Sequence, residues 1–170
     1  MTSDEIITNT EEAVEKNSGQ SYVLQDFSGT YTPKLDEKGR FINPAKFREV
    51  FDNDGVCTIT HGLDGCLWLY SKPVWTEVLG NLSRLSDIRE GERKLKRFFI
   101  GGAKDCELDK QGRILIPPDL REFAKIDGEI RLVGIGNKIE IWAASELGRY
   151  DEKPDASPES IAENIDFLTL

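Results

Sequence analysis

The sequence predicts an α+β fold that is mainly β, in which two copies of one short unit interleave into a single pseudo-twofold β-barrel with the helices outside. Three observations support this prediction. An Asp-x-x-Gly-Arg motif occurs at residues 36–40 and again at residues 109–113. A similar series of apolar runs, turns and helix signals follows each copy. A unit of about 45 residues is too small to hold a core alone, so two copies are expected to share one.

The duplication extends beyond the motif. At an offset of 73, seven of the fifteen positions from Leu35 to Glu49 match their counterparts, which is far beyond chance for unrelated stretches. The matching pairs are Leu35/Leu108, Asp36/Asp109, Gly39/Gly112, Arg40/Arg113, Pro44/Pro117, Arg48/Arg121 and Glu49/Glu122.

The first half begins with an extended strand predicted over residues 27–35, in which Pro33 favours an edge or a bulge. Residues 36–40 predict a tight turn, because an aspartate can accept a hydrogen bond from the backbone two residues on and Gly39 supplies a positive φ. A short strand is expected at residues 41–42.

Asn43 and Pro44 then predict the N-cap and first position of a helix over residues 45–51. Strands are predicted at 56–60 and 66–70, joined by a glycine-rich hairpin connection.

Residues 71–99 interrupt this pattern with two predicted helices. Ser71 is expected to cap the first, and the second covers residues 87–99 with many basic side chains. The second half then repeats the first, with strands at 114–116, 129–133 and 138–142, a helix starting at residues 117–118, and a last short helix from Ser145.

This order of elements predicts five segments. They are a disordered acidic extension at 1–26, a first repeat at 27–75, a helical connector at 76–102, a second repeat at 103–150 and an acidic C-terminal tail at 151–170.

Composition excludes several classes of protein. With 38% hydrophobic and 31% charged residues the chain fits a soluble globular protein, and neither a membrane span nor a secretory signal is evident, so we expect a cytoplasmic protein. Three cysteines without a Cys-x-x-Cys pair predict buried reduced thiols. His61 is the only histidine, which leaves no multi-histidine metal site within one chain.

The net charge of −9 at first argues against a nucleic-acid partner, but the acidity lies in the ends of the chain. Residues 1–30 and residues 151–170 each carry one basic and six acidic side chains, whereas residues 31–150 carry 20 basic and 19 acidic ones. The middle of the chain can therefore present a local basic face.

Four stretches closely resemble the bacterial MraZ family: residues 35–40, 44–49, 61–66 and 108–118, within a similarity that runs from Phe27 to about Tyr150. The resemblance implies a pair of swapped-hairpin repeats of the AbrB/SpoVT type. It also implies a transcriptional regulator, expected to be a repressor, that binds G-rich direct repeats upstream of the division and cell-wall gene cluster. Ring-shaped homo-oligomers, double-stranded DNA as partner and association with the nucleoid are implied as well, without a cofactor, a membrane or a small-molecule substrate. Asn43 departs from the family, since an apolar residue such as Ile116 is expected there.

Arg40 and Arg113 are the candidates for base contacts, because a guanidinium offers two parallel donors that match O6 and N7 of guanine. Asp36, Gly39, Asp109 and Gly112 would support the two turns. Contacts to the DNA backbone are predicted for Lys34, Lys38, Lys46 and Lys110. The pattern alone supports equally well that each arginine pairs with its own aspartate across a surface turn, and the resemblance favours DNA.

Other interpretations stay open from the residues. The basic helix at residues 84–97 could bind phosphate, but its interleaved acidic residues favour a solvated face or a subunit interface. Trp68, Trp75 and Trp142 are expected in the core. Asp36 and Asp109 could be paired catalytic carboxylates, although no partner histidine, nucleophile elbow or phosphate loop accompanies them. The main alternative function is a non-catalytic interaction scaffold that acts through the acidic tails.

Overall fold

The computed structural model describes residues 27–51, 55–153 and 157–167, so the predicted disordered extension at 1–26 lies outside the described residues. Within this part the strands are β1 Phe27–Tyr31, β2 Arg40–Ile42, β3 Val56–His61, β4 Leu67–Ser71, β5 Lys104–Glu107, β6 Arg113–Leu115, β7 Ile130–Gly136 and β8 Ile139–Ala143. The helices are α1 Ala45–Arg48, α2 Lys72–Ser83, α3 Glu90–Phe99, α4 Pro118–Phe123, α5 Ala144–Asp151 and α6 Pro158–Ala162, and a 3-10 turn spans Leu63–Gly65.

All strand pairings among the described residues are antiparallel, and they exchange strands between the two halves of the chain. The larger sheet of the described residues has the order β1-β7-β8-β4-β3-β5, so β1 joins the second half and β5 joins the first. A separate two-stranded ribbon pairs β2 with β6. The α+β, mainly β class is confirmed, and the closed barrel stays a prediction.

One core serves both halves. Phe41 and Phe47 from the first half and Ile114 and Leu120 from the second are fully or almost fully buried in the same cluster. The Phe27 and Phe47 rings meet edge to face with centroids 5.4 Å apart, a favourable aromatic geometry. Because each half supplies only part of this cluster, neither is expected to fold alone.

Helix α2, which leads from the first repeat into the helical connector, packs against the end of β4. Val74 and Trp75 of α2 bury themselves against Tyr70 at the end of β4 in a second, smaller cluster. The following helix, α3, begins at Glu90 rather than at Asp87, and the Asp87 carboxylate instead accepts a hydrogen bond from Lys96 at 2.6 Å. Charged residues of α3 pair with one another, as in Lys94–Glu90 at 3.1 Å.

The core prediction for the tryptophans is confirmed for Trp75 and Trp142, which are 6% and 3% exposed. Trp68 is only partly buried, and its ring stacks on Phe99 at a centroid distance of 5.3 Å. The prediction of buried reduced thiols is confirmed, since all three cysteines are free and buried. Burial raises the pKa of Cys66 to about 12 and that of Cys106 to about 11.

The predicted capping role of Asn43 is wrong. Pro44 holds the N-cap position of α1, and the Asn43 side chain is fully buried. The Asn43 backbone N–H donates to Gly112 O at 2.9 Å, as that of Ile116 donates to Gly39 O at 3.0 Å. These bonds extend the ribbon by one residue beyond β2. Because side chains alternate between the two faces of a strand, the Asn43 side chain points into the core, as that of Phe41 does. The side-chain amide of Asn43 then has no hydrogen-bond partner among the described residues.

Element boundaries also differ from the prediction, most of all at β1, α1 and β7, and β7 extends to Gly136 rather than to residue 133. β1 ends at Tyr31, and the chain returns to the sheet only through an isolated bridge between Lys34 and Glu129. α1 ends at Arg48 rather than at residue 51.

Candidate nucleic-acid interface

The first Asp-x-x-Gly-Arg turn is closed by the aspartate. Asp36 Oδ1 accepts hydrogen bonds from the backbone N–H groups of Lys38 and Arg40, both at 2.9 Å. Gly39 N–H donates to Asp36 O at 3.0 Å with a φ of 81° at Gly39, in the region that glycine adopts most readily. These five residues therefore form the turn largely from their own hydrogen bonds.

The second turn repeats this geometry. Asp109 Oδ1 accepts from the N–H groups of Gln111 and Arg113 at 2.9 Å each. Gly112 has a φ of 73°, and its N–H donates to Asp109 O at 2.9 Å. The supporting role predicted for the aspartates and glycines agrees with this local geometry.

Each aspartate also holds the arginine of its own turn. Arg40 Nε donates to Asp36 Oδ2 at 2.7 Å, and Arg113 Nε donates to Asp109 Oδ2 at 2.7 Å. Because the pairing uses Nε, the Nη1 and Nη2 atoms keep their donors, and the described part of the chain offers them no partner. The two interpretations of these arginines are thus compatible, since the ion pair orients a guanidinium whose outer end is available to a ligand.

The charge on the two aspartates is stabilised by the same contacts. The backbone N–H of Arg40 is the largest influence that lowers the pKa of Asp36, and the Arg40 guanidinium acts in the same direction. The pKa of Asp109 is lowered in the same way by Arg113. A general acid at neutral pH needs a raised pKa, so these carboxylates suit bracing rather than proton transfer.

Sequence reasoning gave no functional role to Arg48 and Arg121, which the structure brings to the turns. A Cβ atom placed on Gly39 would lie 2.6 Å from Arg121 Cζ, and one on Gly112 would lie 2.7 Å from Arg48 Cζ. Each guanidinium therefore covers the turn of the other repeat. Arg48 Nε also donates to Asn43 O at 2.7 Å. The only signal in the sequence was their match at the offset of 73.

The predicted phosphate contacts occupy different positions. Lys38 and Lys110 are exposed within the two turns, beside Arg40 and Arg113. Lys34 is exposed where the chain bridges to Glu129. Lys46 is exposed on α1, and its Nζ donates to Ser28 Oγ at 2.6 Å.

His61 and the other potential metal ligands among the described residues do not form a metal site. His61 ends β3 with its ring stacked on Phe123 at 4.2 Å and its Nδ1 3.0 Å from Phe98 O, which is a packing position. Among the described residues, no group of three or more His, Cys, Asp or Glu side chains is arranged to hold a metal ion. None of their helices is both long and apolar enough to span a bilayer.

Comparison with known proteins agrees with the repeat. A family model described as "MraZ protein, putative antitoxin-like" matches residues 27–98 and again residues 99–166. The Transcriptional regulator MraZ of Desulforamulus reducens is 45% identical over 139 residues, which cover 82% of this chain and 96% of that protein. Those of Caldanaerobacter subterraneus and Thermoanaerobacter sp. strain X514 are 44% and 43% identical over 142 residues, covering 84% of this chain and 98% of each relative. On both grounds, this chain belongs to the MraZ family.

Proposed function

We propose that this chain is a sequence-specific DNA-binding transcription regulator that uses its two Asp-x-x-Gly-Arg turns to read double-stranded DNA. The regulator acts in the cytoplasm at the nucleoid as a repressor of the division and cell-wall gene cluster. It binds G-rich direct repeats as a ring-shaped homo-oligomer, without catalysis, a cofactor or a small-molecule substrate. The names of its relatives, transcriptional regulators, support this class of function.

The observation that carries the proposal is the oriented guanidinium in each turn. The carboxylates of Asp36 and Asp109 hold Arg40 and Arg113 through Nε at 2.7 Å, which leaves the terminal amino groups without a partner among the described residues. Guanine presents O6 and N7 in the major groove at a spacing that such a fork matches. Since the side chain is already ordered, less conformational entropy is lost when the contact to the base forms.

Lys38 and Lys110 lie in the same turns, exposed next to these arginines. An ammonium group there suits a phosphate oxygen, which fixes the position of the protein without selecting sequence. Lys34 and Lys46 are assigned the same role, with Lys46 leaving Ser28 to reach DNA.

The swapped-hairpin barrel and the ring are part of the proposal. The exchange of β1 and β5 between the halves supports the barrel. Ile88 and Leu95 are 90% and 43% exposed on the helical connector, and contacts between copies would remove them from water. Sedimentation equilibrium of the full chain tests the ring, and a purely monomeric species would overturn it.

Fluorescence anisotropy tests the DNA-binding function. Wild-type protein is titrated into a labelled duplex with G-rich direct repeats and into a scrambled duplex of equal composition, at several salt concentrations. We expect a clear preference for the repeats and a log affinity that falls linearly with log salt. The Arg40→Ala/Arg113→Ala variant should lose the preference with its circular dichroism unchanged.

Arg149→Ala is the matched control, because Arg149 is also paired with a carboxylate three residues away but lies on α5. It should bind like wild type. Equal binding of both duplexes by wild-type protein, or full preference in the folded Arg40→Ala/Arg113→Ala variant, would contradict the proposed reading heads.

A further inference from the structure

The outer face of the β2–β6 ribbon combines two arginines with two exposed apolar side chains. In its register Arg40 lies opposite Leu115 and Ile42 lies opposite Arg113. The central pair, Phe41 and Ile114, faces the core and is at most 1% exposed. The four flanking residues therefore share the opposite face, which the alternation of a strand requires.

Ile42 and Leu115 are unusual on this face. They are 55% and 45% exposed. A single exposed apolar residue needs no explanation, but these two occupy equivalent positions of the repeat, each directly across from a braced arginine. Large apolar side chains at both positions indicate a contact that the arginines and the apolar groups make together.

The charge around the ribbon selects the occupant. The ribbon and the turns that lead into it carry four basic side chains against three acidic ones, and two of the acidic ones, Asp36 and Asp109, are held by the arginines. The excess charge is positive, and the ammonium groups of Lys38 and Lys110 are exposed and unpaired among the described residues, so an anionic partner is favoured. A two-stranded β-ribbon fits the major groove of B-form DNA. The apolar group that this groove presents is the C5-methyl group of thymine.

We infer that Ile42 and Leu115 are specificity-determining residues that contact thymine methyl groups beside the guanines read by Arg40 and Arg113. This inference rests on the proposed DNA-binding function and names a further part of the sequence that is read.

The dimensions agree with this assignment. Side chains directly opposite in an antiparallel pair have Cβ atoms about 5 Å apart, and the two cross-strand pairs are separated by two residues, about 7 Å along the ribbon. Successive bases on one DNA strand are about 3.4 Å apart. When the ribbon follows the groove, the second pair thus lies about two base steps from the first. The arginine and the apolar residue of each pair then lie side by side across the groove, within reach of the same or adjacent base pairs.

Removal of the methyl groups from the DNA tests the inference without changing the protein. A labelled duplex with direct repeats of guanine runs bracketed by thymines is compared with the same duplex in which deoxyuridine replaces those thymines. Uracil keeps the hydrogen-bonding groups of thymine and lacks only the methyl group. We expect wild-type protein to bind the uracil duplex about four-fold more weakly for each contacted methyl group.

The Ile42→Ala/Leu115→Ala variant provides the complementary measurement. It should bind the thymine duplex more weakly than wild type and should not distinguish thymine from uracil. The control is Ile135→Ala on β7, a strand residue that is 42% exposed outside the ribbon. This control should keep the full uracil penalty.

The possible failures are distinct. A wild-type protein that prefers guanine repeats but ignores the uracil replacement would overturn this inference and leave the proposed function intact. An Ile42→Ala/Leu115→Ala variant with the wild-type uracil penalty would overturn it too. A change of its oligomeric state in sedimentation velocity would instead assign this face to a second copy of the chain. Wild-type protein that binds neither duplex specifically would remove both proposals.

Discussion

The guanidinium of Arg121 covers Gly39 so closely that a Cβ atom on this glycine would lie 2.6 Å from Arg121 Cζ. Arg48 and Gly112 repeat the contact at 2.7 Å with the roles of the repeats exchanged. Each Asp-x-x-Gly-Arg turn is therefore completed by a residue from the other half of the chain, and the two halves depend on one another at the candidate site as well as in the core.

Gly39→Ala and Gly112→Ala should each destabilise the protein by about 1–3 kcal/mol, because alanine at a φ of 81° or 73° is strained and its Cβ displaces an arginine. Urea denaturation measures this effect. Gly80→Ala is the control, since Gly80 lies within α2 with nothing near its Cβ position, and it should stabilise by about 0.5–1 kcal/mol. A neutral Gly39→Ala would show that the turn relaxes without strain.

Arg40→Lys and Arg113→Lys should lower the preference for guanine repeats while keeping the dependence of affinity on salt. Lysine retains the charge but lacks the planar fork, so the loss is expected at about 1–3 kcal/mol for each bidentate contact. Anisotropy on repeat and scrambled duplexes measures both quantities.

Lys38→Ala provides the contrast to the two arginine variants. It should weaken binding to both duplexes alike and reduce the slope of log affinity against log salt by about 1. An Arg40→Lys variant that weakens both duplexes equally would identify Arg40 as a phosphate contact.

Asn43→Ile should stabilise the protein by about 1–3 kcal/mol. The fully buried Asn43 amide has no partner among the described residues, so its removal from the core recovers the cost of desolvating it. Ile116 fills the equivalent position in the second half without exposure to solvent. The reverse change, Ile116→Asn, should destabilise strongly, and an Asn43→Ile variant less stable than wild type would mean that the site cannot hold the larger side chain.

Acid should destabilise the protein partly through Asp36 and Asp109. Both carboxyls have a lower pKa in the folded protein than their ordinary value of 3.8. Their contribution is therefore complete above about pH 4 and is lost as the pH falls through the folded-state pKa values. Thermal unfolding of wild type and of the Asp36→Asn/Asp109→Asn variant from pH 2 to pH 7 measures it. The difference between them should shrink below pH 4, and a difference that stays constant would contradict this linkage.

Deletion of the acidic segments at 1–26 and 151–170 should strengthen binding of the guanine-repeat duplex several-fold at low salt. Each segment has a net charge of −5 while the rest of the chain is close to neutral, and this excess negative charge repels DNA. Anisotropy with and without the segments measures the gain, which should fade as salt screens it. Loss of DNA binding in the folded, shortened chain would favour the alternative in which the tails are the functional element.

The two turns were predictable because five consecutive residues make most of their hydrogen bonds. The pairing of β1 with β7 and of β3 with β5 was not, since it joins segments that are remote in sequence and equally good as strands. The orientation of Asn43 was likewise not predictable, because it depends on a contact with a residue that is remote in sequence. Its local sequence favours a helix cap, but the bond from its backbone to Gly112 O, across the ribbon, fixes the inward orientation.

The geometry of the candidate site was predictable to a similar depth, whereas its role in reading DNA stays a proposal. The motif identified Arg40 and Arg113, whose ion pairs lie within one turn. The positions of Arg48 and Arg121 over the turns could not be predicted in this way, because each lies over the turn of the other half of the chain. The exposure of Ile42 and Leu115 could not be predicted from the sequence, because an apolar run alone does not say which of its side chains face the core. That assignment needs the register of the short β2–β6 ribbon.

The two turns in one covalent chain also give the protein a direction. Two identical subunits would read both strands of a site alike, whereas here the first turn contains Glu37 and Lys38 and the second contains Lys110 and Gln111. The net charge of the second turn is therefore more positive than that of the first by one. In the proposed mode of DNA binding, a single chain would distinguish a site from its inverted copy, and the orientation of successive sites along the DNA would become information that the protein can use.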